Sequence, residues 1–366
     1  MQADTVLRPA SETELAEIVR AAHGPLRILG GGTRAIGETE GQPLETSGLS
    51  GIRLYEPGAL TLVAGAGTAL AEVEALLARE GQRLPFEVPD LRGLLGRPGV
   101  STLGGVVAAN ASGPRRIQVG ACRDSLIGVR FVDGRGEIVK NGGRVMKNVT
   151  GYDLVKLMAG SQGTLGVLSE VAFKLLPIPE TEATLRIAGL TPGQAVAAMS
   201  AALGSPFEVS GAAHWPGRGT FLRVEGFQPS VSYRVGRLAM LLARFGVVEH
   251  AESPWAAIRD VAPFQGREGD VWRVSVKPTD APGAAARIGG ESLFDWGGGL
   301  IWALVAPGTD LRARLAQIEG HATRLRGESY RALPAFPPER PGVAALSRGL
   351  RAQFDPRGLF NPGLMA

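Results

Sequence analysis

The hydrophobic pattern changes period along the chain. Near the start, Leu15, Ile18, Val19 and Ala22 recur at helical spacing behind Ser11-Glu-Thr-Glu14, a capping-box sequence, and Gly24-Pro25 stops the helix. An apolar run at 26–29 then reads as a strand. A second unit repeats the alternation: a strand over 60–64, a Gly-Ala-Gly turn, and a helix over 69–80 carrying Leu70, Val73 and Leu77 and ending at Gly81. From 91 to 170 the periodicity fades into glycine-rich, loop-like chain, with short strands expected at 126–133 and 137–140. Such chain suits backbone wrapped around something large.

After LLPIPE (175–180) the texture changes again. The order strand, helix, strand, strand, helix, strand falls at 182–188, 192–203, 207–214, 219–226, 230–245 and 247–251. It recurs at 270–277, 279–288, 292–296, 299–306, 309–320 and 322–326. Each repeat is a split βαβ unit of the ferredoxin-like kind, and two side by side make one antiparallel sheet with helices on one face and the other face free. The expected fold class is α+β, with one domain over 1–178, a cap over 179–340, and a tail over 341–366 packing back on the first domain.

Composition narrows the function. A chain of 366 residues with 44% hydrophobic and 20% charged positions suits two globular domains rather than disorder. No run approaches the ~18–20 apolar residues of a membrane span, and the polar N-terminus lacks a signal-peptide core. A cytoplasmic protein is expected. The net charge is +4, and its densest basic spots, Arg115–Arg116 and Arg324/Arg326, are small and isolated. They read as solvated surface rather than a nucleic-acid footprint. One cysteine, Cys122, excludes an internal disulfide, a cysteine-rich zinc site and an all-cysteine iron–sulfur cluster within the chain. The histidines (His23, His214, His250, His321) show no ligand spacing, so no metal site is expected.

The glycines carry the strongest signal. GAGTAL (65–70) sits between strand and helix, but Leu70 stands where a dinucleotide fingerprint needs its third glycine, and no acidic residue follows at the right distance. A tight strand–helix turn explains it better than NAD. GGGT (30–33) has no helix after it, so a phosphate would be met by a nest of backbone N–H groups; a plain glycine-rich turn is the other reading. Two further loops rich in small residues, STLGGVVAANASGPRRIQVG (101–120) and GSQGTLGVLSEVAF (160–173), point to a long ligand with several polar groups. A dinucleotide has those dimensions.

The set RILGGGT, VAGAG with its helix, STLGGVVAANASG, KNVTGYDLVKL and GSQGTLGVL resembles the FAD-binding domain of the vanillyl-alcohol oxidase and p-cresol methylhydroxylase (VAO/PCMH) superfamily. The tail FDPRGLFNPG (354–363) resembles the terminal signature of its 2-hydroxy-acid branch. The resemblance covers about 1–180 and 345–366. Within that branch, the short length and KNVTGYDL resemble the smaller flavin subunits of glycolate oxidases. The resemblance implies FAD, with a second flavin subunit and an iron–sulfur subunit as partners. Carried over by position, Gly30, Gly31, Gly32, Thr33 and Arg34 would hold the pyrophosphate. Pro89, Thr102, Gly104, Gly105, Asn110, Ser112 and Gly113 would line the flavin. Gly160, Ser161, Gly163, Thr164, Gly166 and Val167 would contact the ribityl and adenine side, and Asn361 would return from the tail.

The departures matter as much. The pyrophosphate loop GGGTR lacks the attachment histidine of histidine-linked members, so FAD is expected to be non-covalent. Cys122 in VGACRD fits a small buried residue better than a thioether link. The histidine-rich metal motif of the larger hydroxy-acid dehydrogenases, H-x-G-D-G-N-x-H, is absent, and with it the usual base and metal.

Candidate chemistry remains in the cap. In VWRVSVKP, alternation puts Trp272, Val274 and Val276 on one face and Arg273, Ser275 and Lys277 on the other. In TFLRVEG, Leu222 and Val224 turn inward while Arg223 and Glu225 join the polar face. Arg223, Arg273 and Lys277 are therefore candidates to bind a small carboxylate, each charge-assisted bond contributing about 1.5–3 kcal/mol. Ordinary ion pairs with Glu225 or the other domain are an equal alternative. Tyr152 would stack near the isoalloxazine or serve as a buried structural tyrosine. The expected function is that of an FAD-binding subunit taking part in oxidation of glycolate to glyoxylate, passing electrons to a partner and reaching a membrane only through partners. A stand-alone 2-hydroxy-acid dehydrogenase and a non-catalytic flavin carrier are the alternatives. A sugar-nucleotide enolpyruvyl reductase of the same fold is weaker, since neither KNVTGYDL nor NPG points to it.

Overall fold

Short strands organise the first half of the chain into small sheets. A computed structural model describes residues 5–143, 151–328 and 330–365. Strands β1 (Leu26–Leu29) and β2 (Gln42–Glu45) pair in parallel. A five-stranded antiparallel sheet follows from β3 (Ile52–Glu56), β4 (Thr61–Gly65), β6 (Leu126–Val132), β7 (Ile138–Gly142) and β8 (Val167–Lys174), in the order β3-β4-β8-β6-β7. The short β5 (Gln82–Arg83) and β9 (Leu176–Pro177) pair separately. Helix Glu12–Ala21 starts at Ser11, whose hydroxyl accepts from Glu14 N, and buries Leu15 and Val19 against Leu26, Leu44 and Val167. Helix Leu70–Arg79 buries Leu70, Val73 and Leu77 as the spacing predicts.

The stretch 101–120 is not the loop its glycines suggest. Thr102 caps a helix, Leu103–Ala108, in which Leu103, Val106 and Val107 are fully buried. Glycine serves close packing here: a Cβ on Gly104 would lie 3.0 Å from Ala66. Asp153 similarly caps helix Leu154–Met158. Lys147–Thr150 of the KNVTGYDLVKL motif lie outside the described residues.

The second half forms one eight-stranded antiparallel sheet. Its strands are β10 (Thr181–Ile187), β11 (Val209–Trp215), β12 (Gly219–Gly226), β13 (Val248–Ala251), β14 (Asp270–Val276), β15 (Glu291–Asp295), β16 (Leu300–Val305) and β17 (Gly320–Arg326). The order β13-β10-β12-β11-β15-β16-β14-β17 is two ferredoxin-like halves joined edge to edge at His214 opposite Phe294. Helices Pro192–Leu203, Gln228–Leu242 and Ala281–Ile288 cover one face over Leu222, Val224, Trp272 and Val274.

The sheet differs from expectation in two respects. The helix expected over 309–320 shrinks to Leu311–Arg314 before β17 starts at Gly320. The opposite face is not free. Trp255, Ile258 and Phe264, from the connection between the halves, join Leu94 of the first half in a second apolar cluster over Phe221, Val271, Trp302 and Leu304. What is left of that face looks onto the first half. The tail returns there: Leu26 N donates to Leu359 O, and Asn361 N to Leu26 O.

Candidate functional site

Two cavities adjoin, one within the first half and its returning tail and one between the first half and the cap sheet. The outer one, about 490 Å³, is lined by the loop after β1, the start of helix Leu103–Ala108, and residues 161–163. The inner one, about 430 Å³, lies between residues 109–112 and the exposed part of the cap sheet. Arg34, Ile36, Ala109 and Gln162 border both, so the two form one bent cleft. Each falls within the size range of cofactor pockets.

Backbone builds the outer cavity. The loop Gly30–Gly31–Gly32 presses on residues 99–102 so closely that a Cβ on Gly31 would lie 1.5 Å from Val100 O, and one on Gly30 would lie 2.4 Å from Thr102 Oγ1. Gly32 adopts φ +72°, the left-handed step that turns successive N–H groups toward one side. Thr33, Arg34, Thr102, Gly104, Gly105, Ser161, Gly163 and Gly166 line the same cavity. Asn361 closes it from the tail, accepting from Ile28 N at 2.8 Å and donating to Gln162 O at 2.8 Å. Pro89, Asn110 and Ser112 line the inner cavity.

Four expected residues do not reach the lining. Val167 is buried in the core around Leu15, and Thr164 donates to Ser161 O at 2.7 Å. Gly160 donates to Val107 O, and Gly113 O accepts the Trp296 indole N–H at 3.0 Å. These support the cleft from behind.

Strain gathers along the cleft. Among the described residues, eight non-glycine residues hold positive φ, and five of them, Asn110, Gln162, Trp296, Asn361 and Met365, border it, while Leu60, Glu208 and Val261 do not. Such conformations cost about 1–3 kcal/mol each and cluster at functional sites. Buried polar atoms are also left over. Among the described residues, Ser161 Oγ and Arg34 Nε have no hydrogen-bond partner, although Arg34 otherwise donates to Ser101 Oγ at 2.6 Å and Pro89 O at 2.8 Å. Burial lowers Arg34 to about 10, so it stays charged at neutral pH where the cavities meet. A main-chain cradle, an unpaired hydroxyl and a cation suit a pyrophosphate.

The inner cavity has different chemistry. Arg116 and Arg273 place their guanidinium carbons 4.5 and 5.0 Å from the Trp296 ring centroid, two cations on one indole. Arg116 donates to Ser112 Oγ at 3.0 Å. Arg273 makes no hydrogen bond or ion pair among the described residues. Burial and the Arg116 charge lower Arg273 to about 10, against the opposing pull of Asp295. Asp295 is fully buried behind Trp296, accepts from Trp296 N at 2.7 Å, and is raised by burial to about 7. His321, Thr323, Ser275 and Trp302 complete the wall.

The other three catalytic candidates lie elsewhere. Arg223 faces the first half as its strand alternation requires, but it is buried against Glu87 at 2.8 Å, Ser210, and the Trp255 ring at 4.8 Å. Lys277 falls just past the end of β14, is exposed, and pairs with Glu319 at 2.5 Å. Tyr152 is 87% exposed and borders neither cavity, so it neither stacks on a flavin site nor packs in a core.

The basic spots are not solvated surface. Arg115 is buried between Glu225, at 2.8 Å, and Glu87. Arg116 is in the cleft, Arg324 pairs with Asp270 at 3.2 Å in the cap, and Arg326 donates to Leu94 O. Cys122 is fully buried, its thiol pushed up by burial. No group of three or more His, Cys, Asp or Glu among the described residues could hold a metal.

Comparison with known proteins fits this geometry. An FAD binding domain family model matches residues 3–142. The glycolate oxidase subunit GlcE of Escherichia coli is 36% identical over 345 residues, covering 93% of this chain and 92% of the relative. The chain belongs to the GlcE family. Its cofactor is FAD, and its relatives are FAD-linked oxidoreductases. The glycolate oxidase subunit GlcD of Bacillus subtilis is 33% identical over 50% of this chain and 39% of its own length. A mitochondrial D-lactate dehydrogenase of Arabidopsis thaliana is 29% identical over 48% of this chain and 31% of its own. The structure of alkyldihydroxyacetonephosphate synthase superposes with TM-score 0.71 over 98% of this chain and 76% of that one, at 17% identity, and shows the shared fold. Among the described residues no helix is long and apolar enough to cross a membrane.

Sequence reasoning missed Arg116, His321, Trp296 and Trp302. Arg116 was hidden in a basic doublet. His321 stands one residue before the expected start of β17, yet its alternation with Thr323 and Leu325 marks the cleft face.

Proposed function

We propose that this protein is the FAD-binding subunit of a glycolate or related 2-hydroxy-acid oxidase, holding FAD non-covalently and binding the acid in the inner cavity. The observation that carries the reading is Arg273, a half-buried guanidinium with no hydrogen-bond or ion-pair partner among the described residues, held with Arg116 on Trp296 beside the flavin-domain residues. Two converging cations in a partly dehydrated pocket suit one carboxylate. Aromatic and aliphatic walls from Trp302, Leu325 and Phe336 keep that pocket small and apolar around them.

Gly30–Arg34, Ser161 and Asn361 would hold the pyrophosphate arm, and Pro89, Asn110 and Ser112 the ring system. Bound FAD supplies a two-electron acceptor. The loop GGGTR offers no attachment histidine and Cys122 is buried, in keeping with a non-covalent cofactor. A single cysteine leaves onward electron transfer to an iron–sulfur partner, and GlcE and GlcD are subunit names among the relatives. The protein acts in the cytoplasm, in a complex with a second flavin subunit and an iron–sulfur subunit.

Binding of oxalate, a non-oxidisable stand-in for the acid, tests the site through the fluorescence of Trp296 and Trp302. Wild-type protein should respond with saturation, and Arg273→Met should lose that response while keeping FAD. Equal binding by both would reject the carboxylate assignment.

A further inference from the structure

His321 lines the inner cavity, and carboxylate binding by Arg273 and Arg116 leaves it unused. β14 and β17 pair with Ser275 opposite His321 and Arg273 opposite Thr323, so these side chains share the face turned to the cleft. Among the described residues, neither nitrogen of the His321 ring has a protein partner. By contrast, His214 is buried against Thr220 Oγ1 at 2.9 Å, and neither His23 nor His250 borders a cavity. Burial and the charges of Arg273 and Arg116 hold the imidazole below its ordinary 6.5, leaving it neutral with a free lone pair at pH 7. The two carboxyls near this wall are engaged elsewhere. Glu339, exposed like His321, accepts from Ser347 Oγ at 2.8 Å, while Asp295 is sealed behind Trp296 and accepts from Trp296 N.

We propose that His321 accepts the hydroxyl proton of a 2-hydroxy carboxylate held by Arg273 and Arg116. The inference rests on the substrate reading above and names the base that reading leaves unassigned. The alcohol O–H bond breaks and an N–H bond forms on the imidazole. The carbon–oxygen bond becomes the carbonyl, and the C–H hydrogen departs with its electron pair, for which bound FAD would supply the two-electron acceptor. The imidazolium then stands beside two guanidiniums, an arrangement the substrate carboxylate offsets while it is bound. Departure of the product carboxylate removes that offset and favours release of the proton.

The test compares FAD-loaded wild type, His321→Ala, His321→Asn and Arg273→Met. Oxalate binding is followed by tryptophan fluorescence, His321 by its NMR titration, and flavin reduction by anaerobic stopped flow with glycolate. In wild type, bound oxalate should shift the His321 titration upward. Both His321 variants should keep FAD and bind oxalate, yet reduce flavin about 10²–10⁴-fold more slowly. Their rates should lose the acidic limb of the pH profile, and added imidazole should restore much of the rate of His321→Ala. Wild-type reduction rates and pH profile in both His321 variants, with Arg273→Met still losing oxalate, would overturn His321 as the base and leave the substrate site standing. A wild-type protein that neither binds oxalate nor is reduced by glycolate overturns the substrate reading and this inference with it.

Discussion

Glu225→Gln should weaken the joint between the two halves by about 3 kcal/mol, a value reached by two routes. Glu225 is 6% exposed in its side chain and lies 2.8 Å from Arg115, 2.9 Å from Arg83 and 3.6 Å from Arg223. Burial alone would raise its pKa, but the Arg115 hydrogen bonds and the Arg223 and Arg115 charges prevail and hold it at about 2. The drop from the ordinary 4.5 to about 2 corresponds to about 3 kcal/mol of folding stability at 1.36 kcal/mol per pH unit. Independently, removing one partner from a buried ion pair costs about 3–5 kcal/mol because the remaining charges stay desolvated. Here Arg115 and Arg83 lose their closest anion, while Arg223 keeps Glu87. A depressed carboxylate stabilises fully above its unfolded pKa and loses that contribution as pH falls through its folded one. The gap between wild type and variant should therefore be widest near neutrality and shrink to roughly half or less by about pH 3. Urea unfolding of the FAD-loaded protein across that range reads it directly. FAD content should not change, since Glu225 borders neither cavity. A loss under about 1 kcal/mol, or a gap independent of pH, would refute the argument.

Other consequences follow from single placements. Gly31→Ala must move the Gly30–Gly32 loop, the proposed pyrophosphate cradle, off Val100 O, so purified protein should contain much less FAD by visible absorbance at unchanged secondary structure by circular dichroism. Arg273→Met should raise the dissociation constant for oxalate about 10- to 150-fold, the equivalent of one charge-assisted contact of about 1.5–3 kcal/mol. Lys277→Ala and Tyr152→Phe should leave FAD content and glycolate-dependent flavin reduction within about twofold of wild type, because both residues lie outside the cleft. Asp295 is raised to about 7, so the folded protein holds its proton more tightly than the unfolded chain, and the stability that proton confers is lost as pH rises through about 7. Asp295→Asn should accordingly raise the melting temperature at pH 8 more than at pH 5, and an equal effect at both would contradict the assignment.

The sequence made the fold legible where local rules agree with packing. The ferredoxin-like repeat was readable because each strand alternates around a helix face, as Trp272 and Val274 do against Arg273 and Ser275. The close packing of the GGGT loop was readable because only glycine fits at Gly31 against Val100 O. Legibility failed where a residue's fate depends on distant chain. Alternation put Arg223 and Arg273 on the same sheet face, but only the tertiary structure separates one sealed by Glu87 from one left open to the cleft. Lys277 belongs to the same alternation on paper, yet β14 ends a residue before it. Helix Leu103–Ala108 was masked by its glycines, of which Gly104 serves close approach to Ala66 rather than turning. Arg116 gave no local signal to separate it from surface charge, and His321 was marked only by its alternation with Thr323 and Leu325.

The central claim is that a 2-hydroxy acid bound between Arg273, Arg116 and the flavin-domain loops reduces the FAD of this subunit. The measurement that tests it most directly is an anaerobic visible spectrum of the FAD-loaded protein before and after glycolate. The account predicts loss of the oxidised-flavin band in wild type and its persistence in Arg273→Met. A band unchanged in wild type by glycolate, D-lactate and 2-hydroxyglutarate would contradict it.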